Sequence, residues 1–188
     1  MTVRVAVVGL LALVMATFAG APFQAGAADP SASVRRFCDA LGSATARPGG
    51  ATTEMIRSAV TATFDLDAML QLALGPRWRS IPADRQPAIR AAFARYFVGI
   101  YADRFRGAEN LDFQVGTLAA RGSNTLVRSR VIAPGGTVAV VDFVVAPSGK
   151  IIDVYLGGMV SEVAGLRIRF QDALLRGGPD ALLDLLGG

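Results

Sequence analysis

Acid–base chemistry on this chain would have to run through Asp65, Asp142 or Asp153, the acidic residues set among apolar neighbours. Each has an ordinary structural use. Asp65 stands where a helix begins and suits an N-cap, and Asp142 in a valine-rich strand can meet Arg128 or Arg130 across a sheet. The 188 residues contain no histidine and one cysteine, which excludes His-based metal sites, Ser-His-Asp triads, Cys-His dyads and any intramolecular disulfide. Cys38, between Phe37 and Leu41 on a helical stripe, reads as a small buried apolar residue. No catalytic residues, no metal and no cofactor are therefore expected.

The net charge is +4, with a single lysine, Lys150, and arginine supplying the rest of the cations. No dense basic block occurs, so nucleic acid is not an expected partner. After Arg4 the run from Val5 to Phe18 carries no charge, and Ala25-Gly26-Ala27 presents small residues at a signal-peptidase spacing. Residues 1–27 are expected to be a cleaved signal peptide, and residues 28–188 one secreted domain. That length holds one real core.

Apolar spacing then divides the mature chain in two. Val34, Phe37, Cys38 and Leu41 recur at helical intervals behind Ser31 or Ser33 as N-cap. A second helix begins at Thr52 or Thr53, and Asp65 caps a third carrying Leu66, Met69 and Leu70. Past Gly75-Pro76, the residues Ile89, Phe93, Phe97, Ile100, Tyr101 and Phe105 make the longest stripe, which Gly107 should stop. After Asn110 the period falls to two. Strands are expected at 111–118, 124–133, 137–146 and 150–156, joined by turns so short that neighbours must be antiparallel. The third is apolar on both sides apart from Asp142, as if covered on both faces. A helix over 160–176, the break Gly177-Gly178, and a leucine-rich helix over 179–186 close the chain.

Several blocks resemble a known family. Phe64-Asp65-Leu66 with Met69, then Leu74-Gly75-Pro76-Arg77-Trp78-Arg79, Pro82, Arg85-Gln86, Ala91-Ala92-Phe93 and Tyr101-Ala102 are similar, in order and spacing, to the central block of the toluene-tolerance or MlaC family. Ile152-Asp153-Val154 through Gly158-Met159-Val160-Ser161, then Arg167, Phe170, Leu174, Gly177-Gly178 and Ala181-Leu182, resemble its second signature. Arg95-Tyr96, Tyr155-Leu156 and Glu162-Val163-Ala164 lean toward the hopanoid-associated HpnM branch. Two departures are Gly157, where many relatives carry an acid, and the missing tryptophan before the fourth strand.

The resemblance implies an α+β fold in which helices pack on a curved four-stranded antiparallel sheet and enclose an apolar cavity. It implies a periplasmic carrier of a phospholipid or hopanoid, handing lipid between membrane-bound transport complexes with transient contact at the membrane surface. The alternative is an adaptor that holds no lipid. A lipid with two sixteen-carbon tails exposes about thirty methylenes, costing roughly 20 kcal/mol or more in water. A carrier must hide nearly all of them. The candidate lining is Trp78, Phe93, Phe97, Tyr101 and Phe105 from the helical wall and Val141, Phe143, Val145, Val154 and Met159 from the sheet; each taken singly reads first as ordinary core, and the expectation concerns the set. Arg77 and Arg79 beside Trp78 are the candidate headgroup contacts.

Overall fold

A computed structural model describes residues 29–187, and the expected signal peptide lies outside them. Five helices cover an antiparallel sheet: α1 (Ala32–Thr45), α2 (Thr53–Thr63), α3 (Leu66–Leu74), α4 (Gln86–Arg104) and α5 (Glu162–Leu185), with strands β1 (Asp112–Arg121), β2 (Asn124–Ile132), β3 (Val138–Val145), β4 (Ile151–Leu156) and β5 (Val160–Ser161). A 3-10 turn, Gly75–Ser80, joins α3 to the approach of α4. No described helix is long and apolar enough to cross a membrane.

The strands form a meander in the order β1-β2-β3-β4-β5. The expected four strands are thus five. The fifth is two residues long, too short to show a period, and exists because the chain turns back after Leu156 and pairs Tyr155 with Ser161. Register shifts between Val115 and Leu118, and between Val144 and Val145, bend and twist the sheet locally. Helix and sheet are also tied through the backbone, since Phe64 bridges Ile151 and the Asp65 amide donates to the Ile151 carbonyl at 2.9 Å.

Local chemistry explains most boundaries. The Thr52 hydroxyl accepts from the Met55 amide, and the Asp65 carboxylate from the Ala68 amide at 2.9 Å, each satisfying a first-turn donor of its helix. The start of α1 departs from expectation. Ser31 occupies the N-cap position without a side-chain cap, because its hydroxyl and amide both donate to Asp29, while the Ser33 hydroxyl donates to the Gly149 carbonyl. The C-terminal helix is expected from residue 160, but Val160 and Ser161 are drawn into β5 and α5 begins at Glu162. Gly178, at φ +64°, breaks α5 as expected, and Pro179 restarts it so that Leu182 and Leu186 turn into the core.

The third strand is only half covered. Asp142, Phe143, Val144 and Val145 are buried, but Val138, Ala139 and Val140, at the end of the sheet where β2 turns into β3, are exposed. Cys38 is buried, and burial, helped by the charge of Asp39, pushes its thiol up to about 12. Native protein should therefore resist alkylation by iodoacetamide at pH 8 for hours and react fully in denaturant; rapid native labelling would contradict the burial. A thiol raised in the folded state stabilises fully below its ordinary value of 9.0, and that contribution is lost as pH climbs from 9.0 toward about 12.

Candidate functional site

The aromatic stripe of α4 does not face an open lumen. Phe93 and Phe97 stand 5.8 Å apart, and Phe97 and Tyr101 4.9 Å. Phe37 of α1 joins the helical wall to the sheet, edge-on to Tyr101 at 5.8 Å and to Phe143 at 6.0 Å, while also meeting Phe64 at 4.9 Å. Edge-to-face pairs at these separations are attractive beyond the area they bury. Phe93 continues the cluster to Phe170 of α5 at 5.9 Å. The two expected walls thus touch through a ring that spacing alone did not single out.

The other candidates scatter. Val145 and Val154 are buried on the helix-facing side of the sheet with Phe143, and Val141 and Phe105 are half-buried at the margin of the same core. Met159 belongs to neither wall: it is 82% exposed, since the left-handed turn at Gly157 and Gly158 interrupts strand alternation and carries its side chain outward. Trp78 lies in the 3-10 turn under the Arg90 guanidinium, 4.6 Å from ring centre to Cζ. With Arg79, Leu72 and Ile152 it lines a separate hollow of about 440 Å³, and Arg77 is exposed beside it.

A second hollow, about 280 Å³, opens between α4, α5 and the end of the sheet. Phe97, Ile100, Leu156, Val160 and Leu166 give it an apolar lining, and Gly165 leaves it room: a methyl added there would meet nothing within 4 Å. Arg104, Glu162 and Arg169 stand at its rim. Of these residues, Phe97 alone belongs to the expected lining. Ile100, three positions on, and Gly165, a small residue inside an amphipathic helix, were the available signals.

Electrostatics pins this mouth. The Tyr101 hydroxyl donates to Glu162 Oε2 at 3.0 Å, Glu162 Oε1 takes Arg104 at 2.5 Å, and the Arg104 guanidinium lies 4.9 Å from the Tyr101 ring centre. Burial, reinforced by the Glu162 charge, holds the Tyr101 phenol well above its usual ionisation range. Burial pushes the Arg104 guanidinium down, but Glu162 and Tyr101 more than reverse this. The three groups clamp α4 to the first turn of α5.

The aspartates weighed as acids are engaged elsewhere, with one exception. Asp65 is a helix cap. Asp153 accepts from the Val154 amide at 2.8 Å, the Ser161 hydroxyl at 2.6 Å and the Val163 amide at 3.1 Å, while Ser161 in turn accepts from the Ala164 amide. It is the hub that starts α5 at the edge of the sheet. Asp153→Ala should cost about 2–3 kcal/mol, measured by urea denaturation, because three donors lose a charged acceptor; a loss below about 0.5 kcal/mol would show the hub to be dispensable. The exception is Asp142, which does not pair with Arg128 or Arg130 as expected, and whose buried Oδ1 has no partner. Among the described residues no three His, Cys, Asp or Glu side chains are grouped to hold a metal.

Helices on a bent five-stranded meander, with an apolar cleft at the junction of α4, α5 and β5, define an α+β scaffold of recognisable type. The chain belongs to the MlaC protein family, whose pattern it matches over residues 33–187. Its fold is that of a phospholipid-binding protein from Ralstonia solanacearum solved in complex with a phospholipid, at 23% sequence identity and a TM-score of 0.71 over 85% of this chain and 96% of that one. Among curated proteins no sequence matches this chain significantly.

Proposed function

We propose that the chain is a periplasmic carrier of a single phospholipid or hopanoid molecule, working with a membrane-bound lipid-transport system, and that the acyl chains pass between α4 and α5. The observation that carries this reading is the cleft of Phe97, Ile100, Leu156, Val160 and Leu166, apolar within and charged at the rim, leading directly onto the aromatic core. Family membership and the phospholipid held by the Ralstonia relative support it. A hollow of about 280 Å³ takes only part of an acyl chain. The guest therefore displaces aromatic rings as it enters, much as apolar cores repack around a new volume. Transfer from bilayer to such an interior is near neutral in free energy, which suits a shuttle that must also release. Arg104 and Arg169 stand where the polar end of that guest would lie. Arg79 lines a different hollow with Arg77 exposed beside it, and the pair suits an anionic membrane surface.

One observation favours the adaptor alternative: Phe37 already joins the walls. Organic extraction and mass spectrometry of the mature protein purified from its own periplasm separate the two. One lipid per chain, phospholipid or hopanoid, is the expected result, and the species recovered decides whether the hopanoid branch applies. A chain that stays lipid-free, even after incubation with vesicles, would leave only the adaptor.

A further inference from the structure

The outer face of the sheet holds a third hollow, about 630 Å³, that the carrier reading does not use. Asp142 lines it and is 6% exposed, yet its Oδ1 has no hydrogen-bond partner. The register that pairs Val127 with Phe143 and Arg130 with Val140 sets the Arg128 backbone opposite Asp142, and Arg128, Arg130 and Asp142 line the same hollow. Among the described residues neither arginine forms an ion pair or hydrogen bond with it. The walls are kept low by glycine. A methyl on Gly116 would stand 3.2 Å from the Arg128 carbonyl, and one on Gly158 would stand 3.7 Å from Asp142 Oδ2.

A buried carboxylate without a donor is a costly feature, normally compensated by a partner. A lone cation would be repelled by Arg128 and Arg130, and a lone anion by Asp142. An occupant carrying both charges a few ångströms apart satisfies all three: an ammonium donates to Asp142, and a phosphate takes the forked guanidinium groups. We propose that this hollow binds an aminophosphate group, a phosphate ester with a primary ammonium close by, whether offered by a lipid headgroup or by a small soluble compound.

The probe is O-phosphoethanolamine, titrated into the mature protein and followed through its amide NMR spectrum, with phosphocholine and inorganic phosphate as comparisons. Phosphoethanolamine should shift the Gly116, Arg128 and Gly158 amides and bind at least tenfold more tightly than phosphocholine, whose methylated ammonium cannot donate. Asp142→Asn should erase that preference while keeping the fold, since it removes an unpartnered buried charge; a melting temperature unchanged or raised checks this. Arg128→Gln with Arg130→Gln should weaken both esters tenfold or more. Phosphate and phosphoethanolamine binding alike, with Asp142→Asn without effect, would overturn the proposal, as would no shift with any of the three. Vesicles with and without phosphatidylethanolamine then identify the source: shifts at the same amides assign a lipid headgroup, and their absence assigns the soluble ester. The hollow is separate from the α4–α5 cleft, so lipid extraction can succeed where this titration fails, and the reverse.

Discussion

Gly165→Trp protein should fold, melt at or above the parent temperature, and carry no lipid. Position 165 lies on the cleft side of α5, where added atoms meet open space, so an indole occupies the cleft instead of clashing with backbone. A buried tryptophan covers about 150–250 Å² of apolar surface, enough to seal a passage of this size. Gly165→Ala is the control: it should stabilise the helix by about 0.5–1 kcal/mol and leave lipid recovery unchanged, because one methyl does not close the cleft. Lipid recovered undiminished from the folded tryptophan variant would mean that chains enter elsewhere, the hollow beside Trp78 being the next to block.

The largest loss of stability is expected at Phe37. Its ring contacts Phe64, Tyr101 and Phe143, so it ties α1, the segment after α2, α4 and β3 together. Phe37→Ala removes a fully buried ring from a site whose neighbours are held by three different elements and cannot collapse inward together. The cost should be about 3–5 kcal/mol by chemical denaturation. The melting temperature should fall by on the order of 10 °C for a domain of this length. A loss under about 1 kcal/mol would mean that the walls already stand apart in solution, with room for a guest.

These two positions also mark where sequence reasoning stops. Helix faces, the Asp65 cap, the Gly177-Gly178 break and the antiparallel meander follow from spacing and turn residues, because each is decided within a few residues of chain. Phe37 was visible as a buried position, but its role as the strut between helix and sheet depends on three contacts from distant segments. Met159 is expected on the sheet side of the lining, but the left-handed turn at Gly157 and Gly158 carries it outward. β5 was missed because two residues carry no period. The absence of an Asp142–Arg128 pair could not be read from register: opposite placement in a ladder brings backbones together without fixing where long arginine side chains end. The cleft went unseen for a related reason, since its emptiness comes from Gly165, and a missing side chain leaves no mark in an apolar stripe.

Because every strand of the meander neighbours the strand next in sequence, the sheet can assemble from contacts a dozen or so residues apart. The demanding step is bringing the first three helices back over it, a closure of nearly ninety residues fastened where Phe64 meets Ile151. Until that closure, the apolar face of a nascent sheet stands open. The folding chain is then most exposed to aggregation in the interval between forming its own sheet and recovering its own amino-terminal half.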